Sequence, residues 1–165
     1  MDPKKIIMGK KVLIVDDEKD VLDTLTELME LSKIDTASSF QEARKLLERN
    51  RYDVAILDIM GVQGFDLLQI AKDKKIPALM LTAHALTPEN LKKSAEEGAA
   101  FFAPKEEMKN IATYVADVIE AMEKKKNPWV KWLERLGGFF DVMFTGPHWR
   151  EQEKEFWDKQ TRSLE

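Results

Sequence analysis

The stretch Val12-Leu13-Ile14-Val15-Asp16-Asp17-Glu18 decides how the rest of the chain is read. Four consecutive apolar residues with no polar alternation describe a strand covered on both faces, as strands of a parallel sheet are. The three acids that follow put charge where such a strand would leave the sheet. Two further runs repeat the pattern: Val54-Ala55-Ile56-Leu57 closes on Asp58, and Ala78 to Leu81, entered through Pro77, closes on Thr82. Weaker strand candidates lie at Ile34 to Ser38 and Ala99 to Ala103.

Between these runs, apolar residues recur at helical spacing. One set is Val21, Leu22, Leu25, Leu28 and Met29, a second Phe40, Ala43, Leu46 and Leu47, and a third Phe65, Leu67, Leu68, Ile70 and Ala71. Pro88 to Glu97 reads as a fourth helix stopped by Gly98, and Glu106 to about Glu123 as a fifth. Strands alternating with helices require right-handed crossovers. The predicted fold over residues 1–123 is therefore α/β, a doubly wound five-stranded parallel sheet flanked by five helices, of the flavodoxin-like kind.

Composition agrees with a globular protein: 165 residues, 44% hydrophobic and 34% charged, with a formal charge of −4. With no cysteine, thiolate metal sites, thiol nucleophiles and disulfides are excluded, and a cytoplasmic setting is expected. The slight acidic surplus argues against nucleic acid as a partner, since phosphate binding needs clustered positive charge. Ile6-Ile7-Met8 is too short for a signal-peptide core, and no run approaches the roughly 20 apolar residues that span a bilayer.

All four tryptophans fall between residues 129 and 157. The preceding Lys124-Lys125-Lys126-Asn127-Pro128 punctuates the chain, with Asn127 suited to a helix N-cap and Pro128 to the first helical position. Trp129, Trp132, Leu133, Leu136, Phe140 and Met143 follow at helical spacing, with an interruption expected at Gly137-Gly138. Gly146-Pro147 reads as a break, His148 to Arg162 as a last helix, and the final Leu164-Glu165 carries no weight. Residues 124–165 are thus a C-terminal helical extension. Its 42 residues hold nine basic and seven acidic side chains and no helix-turn-helix pattern, so a DNA-binding output is not expected.

An aromatic stripe of Trp129, Trp132, Leu136 and Phe140 needs a cover. It can fold back on its own domain or pair with a second copy as a homodimer. It can also anchor another protein, or lie at a membrane surface, the last disfavoured by Glu134 and Asp141.

In a sheet of this kind, function collects at the carboxyl ends of the strands. There the chain places Asp16, Asp17, Asp58, Thr82 and, after the fifth strand, Lys105. Converging carboxylates repel one another unless a hard cation neutralises them, and oxygen ligands without His or Cys point to Mg2+. A lysine and a hydroxyl would complete a site for a transferring phosphoryl group, with Asp58 as the nucleophile. His84 reads as a surface loop residue, and Met29, Met80 and Leu81 as core.

Val12-Leu-Ile-Val-Asp-Asp-Glu18, Ile56-Leu-Asp-Ile-Met60, Leu81-Thr-Ala83 and Ala103-Pro-Lys105 together resemble the receiver domain of two-component response regulators, over about residues 10 to 123. The resemblance implies that Asp58 accepts phosphate from a histidine kinase or phosphotransfer protein. It implies Mg2+ held by Asp16 or Asp17, Asp58 and the backbone carbonyl of Met60. Thr82 and Lys105 would contact the phosphoryl group, and Thr82 and Phe102 would be the switch residues. The expected function is a phosphoacceptor signalling switch rather than a turnover enzyme, with a receiver-like interaction module that has lost phosphorylation as the alternative. A phosphatase of similar shape would normally carry an Asp where Met60 stands.

The sequence departs from the family pattern in three places. No Pro follows Asp58, and the shortened loop is expected to turn through positive φ at Gly61 and Gly64. Lys105 precedes Glu106 instead of Pro, so a trans bond is expected there. Phe102 lacks the hydroxyl of a tyrosine and would move by packing alone.

Overall fold

The structure, a computed structural model, describes residues 2–146 and 148–162. Pro147 of the expected break and the Leu164-Glu165 end lie outside the described residues. The apolar runs form the strands β1 (Lys11–Val15), β2 (Lys33–Ala37), β3 (Val54–Leu57), β4 (Ala78–Thr82) and β5 (Phe101–Pro104). They make one parallel sheet of five strands in the order β2-β1-β3-β4-β5. Every residue of β3 and of Val12 to Val15 is buried, as continuous apolar runs demand. Chain direction across the sheet reverses between β1 and β3, so their carboxyl ends flank the crevice where such sheets bind ligands.

Helices α2 (Lys19–Leu28), α3 (Phe40–Arg49), α4 (Gly64–Asp73), α5 (Pro88–Glu96) and α6 (Ile111–Glu123) cover both faces. Two begin on hydroxyl caps: Ser39 Oγ accepts from Glu42 N at 3.2 Å, and Thr87 Oγ1 from Asn90 N at 3.1 Å. The expected fifth helix is divided, opening as a 3-10 turn over Lys105–Asn110 before α6. Strand ends shift by one or two residues from the sequence expectation, β2 to Lys33–Ala37 and β5 to Phe101–Pro104.

A helix the apolar spacing does not announce, α1 (Pro3–Ile7), precedes β1. Asp2 caps it by accepting from Lys4 N at 3.0 Å, Pro3 starts it, and Ile7 is buried where the helix packs on α6. Five residues carry too little periodicity to be read as a helix. Tertiary packing supplies what local propensity cannot.

The extension folds as α7 (Pro128–Met143), α8 (His148–Gln152) and α9 (Lys154–Gln160). Asn127 Oδ1 accepts from Trp129 N at 3.0 Å, as an N-cap, and its Nδ2 donates to the carbonyls of Gln160 and Arg162. One side chain thus ties both ends of the extension together. Gly137-Gly138 does not interrupt α7, and the expected single helix over 148–162 breaks at Glu153.

Trp129, Trp132, Leu136 and Phe140 all face inward and are buried. Their cover is the chain's own domain, which leaves none of them on the surface for a second copy, a partner or a membrane. Helix α7 lies along β5, the edge strand, and α6. Trp129 Nε1 donates to the carbonyl of Ala99 at 2.9 Å, and Trp132 Nε1 to that of Phe102 at 2.8 Å. Trp132 stacks on Trp157 with ring centroids 5.7 Å apart, and Phe140 sits 5.6 Å from Phe102. Arg135 makes a paired bond to Asp117 of α6, and Lys92 of α5 reaches Glu153 at 3.1 Å. Burying a large apolar side chain stabilises by about 1.5–3 kcal/mol, against about 0–1 for an exposed ion pair. The aromatic face therefore holds the extension in place, and the ion pairs set its register.

Candidate functional site

Because β1 and β3 are adjacent and parallel, the residues that follow them emerge side by side. Asp16 follows β1 and Asp58 follows β3, whose amide donates to the carbonyl of Val15 at 3.0 Å. Both carboxylates are buried, as is Thr82 at the end of β4. Lys105, just after β5, is only 7% exposed and reaches across to both carboxylates. Its ammonium lies 2.7 Å from Asp16 Oδ2, 3.3 Å from Glu18 Oε1 and 3.6 Å from Asp58 Oδ2. Asp16 Oδ1 also accepts from Glu18 N at 2.9 Å, which fixes the acid turn after β1.

Burial is the main reason the Asp58 carboxyl is pushed up to about 6, with Asp16 and Asp17 adding repulsion that Lys105 only partly offsets. Burial pulls the Lys105 ammonium down, yet its bond to Asp16 and the charge of Asp58 outweigh this and hold it above the usual lysine value. The site is short of positive charge. Four carboxylates, those of Asp16, Asp17, Glu18 and Asp58, face one ammonium. Oxygen atoms of Asp16, Asp17 and Glu18 lie within 4.8 Å of one another. An all-oxygen, electron-rich cluster of this kind fits a hard divalent cation.

Glu18 is the residue that sequence reasoning missed. It ends the acidic run of the opening stretch, but only the fold reveals that its carboxylate turns to Lys105. Met60 lies in the loop after Asp58 and is 54% exposed. His84 is exposed on the loop after Thr82, while Met29, Met80 and Leu81 are core. Thr82 Oγ1 accepts from Ala85 N at 3.3 Å, which leaves its own hydrogen for another acceptor.

The loop after Asp58 corrects one expectation. Gly61 adopts a positive φ of 84°, but Gly64 does not, and the second left-handed residue is Gln63 at 54°. Gly64 serves closeness instead. A Cβ there would fall 2.1 Å from the carbonyl oxygen of Asp58, and a Cβ on Gly61 would fall 2.4 Å from Asp17 Oδ2. Both glycines let the loop fold down onto the acids. The Lys105–Glu106 bond is trans, as no described peptide bond is cis.

Phe102 pairs with Met80 across β4 and β5, so it shares a sheet face with Met80 and Thr82. Its ring is buried and rests against Phe140. Among the described residues, no helix is long and apolar enough to cross a membrane.

Comparison with known proteins adds to this geometry. Residues 12–116 match the family model described as the response regulator receiver domain. The heme response regulator HssR of Staphylococcus aureus strain Newman is 42% identical over 76 residues, which cover 43% of this chain and 34% of that protein. The chain thus spans about a third of the length of the curated relatives it matches. A receiver domain protein from Clostridium thermocellum superposes with a TM-score of 0.61 at 28% identity, covering 69% of this chain and 97% of that one. A CheY-like receiver from Methanospirillum hungatei JF-1 gives 0.65 at 24% identity, over 71% of this chain and 98% of that one, a likeness of fold alone.

Proposed function

This chain belongs to the response regulator receiver family, and from that premise we propose that it is a phosphoacceptor switch in which Asp58 takes a phosphoryl group from phosphohistidine. The observation that carries the reading is Asp58 itself, a buried carboxylate at the end of a central strand with Asp16 and Lys105 beside it. A carboxylate oxygen of Asp58 attacks phosphorus as the N–P bond of the donor imidazole breaks. The bonding pair leaves with the imidazole nitrogen, and an acyl phosphate forms. The histidine kinase or phosphotransfer protein that supplies the group is the expected partner.

Lys105, whose ammonium lies 3.6 Å from Asp58 Oδ2, would offset charge on the phosphoryl oxygens. Thr82 has a hydroxyl hydrogen to give one of them. The acids Asp16 and Asp17, with Asp58 and the carbonyl of Met60, would hold Mg2+, which would neutralise phosphate charge during transfer. Glu18 holds Lys105 from its solvent side. The output is switched protein contact in a cytoplasmic setting, with no substrate turned over other than the acyl phosphate. The phosphorylation-independent interaction module is the reading that remains if Asp58 proves inert.

The test is intact-mass analysis after incubation with acetyl phosphate or phosphoramidate and Mg2+. One phosphoryl group is expected on the wild type, none with Asp58→Asn, and none when EDTA replaces the metal. A wild type that stays unlabelled by both donors would overturn the reading.

A further inference from the structure

Of the large apolar side chains left exposed among the described residues, Met8, Leu28, Leu31 and Met122 belong to one seam. Met8 follows α1, Leu28 ends α2, Leu31 comes three residues on, and Met122 stands in the last turn of α6. Hydrogen bonds and one ion pair hold these ends together. Gly9 N donates to the Leu31 carbonyl at 2.9 Å, Ser32 Oγ donates to that of Ile7 at 2.7 Å, and Lys10 pairs with Glu123 at 3.4 Å. At the end of α1 the chain turns Ile7 inward and leaves Met8 59% exposed. Charge beside the seam is segregated. Lys4 and Lys5 are exposed on α1, and Glu27 and Glu30 are exposed at the end of α2. No ion pair among the described residues engages any of these four.

We propose that this seam is a two-fold interface at which two copies of the chain associate, α1 of each lying on the end of α2 of the other. A two-fold axis brings one patch against itself. Apolar residues then meet apolar residues, and the lysines of one copy meet the glutamates of the other. Other occupants fit less well. Glu27 and Glu30 would repel an anionic lipid surface, and a partner of one charge sign would be opposed on one side of the seam. A second copy satisfies both sides at once. Helix α2 begins beside the acids and runs ten residues, so its far end lies about 15 Å away from them. Pairing there leaves Asp58 open, and the inference does not depend on its phosphorylation.

Four apolar side chains make a small interface core, so the pairing is expected to be weak and concentration-dependent. The full-length protein is followed by sedimentation velocity from about 10 µM to 1 mM, the span in which weak interfaces associate. Its weight-average mass is expected to rise from monomer toward dimer. Leu31→Glu places a charge of each copy in the seam and is expected to weaken association about tenfold or more. Lys4→Glu with Lys5→Glu, or Glu27→Lys with Glu30→Lys, is expected to weaken it severalfold, and the four changes combined to restore it. All five positions are exposed, so circular dichroism spectra and acetyl phosphate labelling are expected to match the wild type.

A protein that stays monomeric over the whole range would overturn the inference. So would a dimer indifferent to Leu31→Glu and to the charge reversals, since the contact would then lie elsewhere. Cosedimentation with phosphatidylglycerol vesicles that Leu31→Glu abolishes would assign the seam to a lipid surface and overturn it as well.

Discussion

Asp58 carries a cost that the rest of the site explains. Its carboxyl is pushed up to about 6 in the fold, against a usual value near 4 in an unfolded chain. Between those two values the unfolded chain gives up the proton that the native state still holds. Stability in metal-free buffer is therefore expected to fall as pH rises through about 4 to 6, and to stay lower above. Asp58→Asn should flatten that fall, so thermal melts in EDTA at pH 5 and pH 8 should show a larger loss for wild type than for the variant between the two. Lys105→Ala is expected to slow acetyl phosphate labelling on the order of 100-fold, since a charged group aimed at the transferring phosphoryl is lost. A circular dichroism spectrum like that of the wild type would assign the loss to chemistry rather than to folding. Asp16, Asp17, Asp58, Thr82 and Lys105 were legible in sequence because each follows a recognisable strand. Glu18 was not, since no periodicity states which way an exposed carboxylate turns.

Elements were legible in proportion to their apolar periodicity. The strands β1, β3 and β4 stand out as unbroken runs, whereas α1 is too short to show a period and exists because Ile7 is buried against α6. Gly137-Gly138 reads as a break because each glycine costs a helix about 1 kcal/mol relative to alanine. The helix continues because Trp132, Leu136 and Phe140 are buried on either side of the pair. Gly137 also makes room: a Cβ there would fall 2.8 Å from Leu133 Cδ1. In α4 the first residue is fixed by contact, and Gly64→Ala is expected to lower the melting temperature by several degrees, as the Asp58 loop must shift to admit the methyl group. In α7, Trp132→Phe removes the N–H and leaves a cavity where the wider indole packed, and is expected to cost about 2–3 kcal/mol in a denaturant melt.

At the scale of the molecule, one edge of the sheet is closed by its own chain. The β5 edge is covered by α7, with Trp129 and Trp132 bonded to two carbonyls there, and Trp157 of α9 packs on those two indoles in turn. A chain ending at Glu123 would uncover that surface, and is expected to sediment as larger species than the full-length protein at equal concentration. Three things were determined by the sequence alone: the parallel α/β fold, the convergence of acids at the strand ends, and the need of an aromatic stripe for a cover. Each follows from local pattern, because burial on two faces demands continuous apolar runs and a strand's end lies next to its last residue. What covers the stripe was decided only in three dimensions. Periodicity states that a helix has an apolar face, but not which surface meets it. Two indole N–H groups and the ring of Phe140 select β5 and Phe102, contacts separated in sequence by about 30 residues or more.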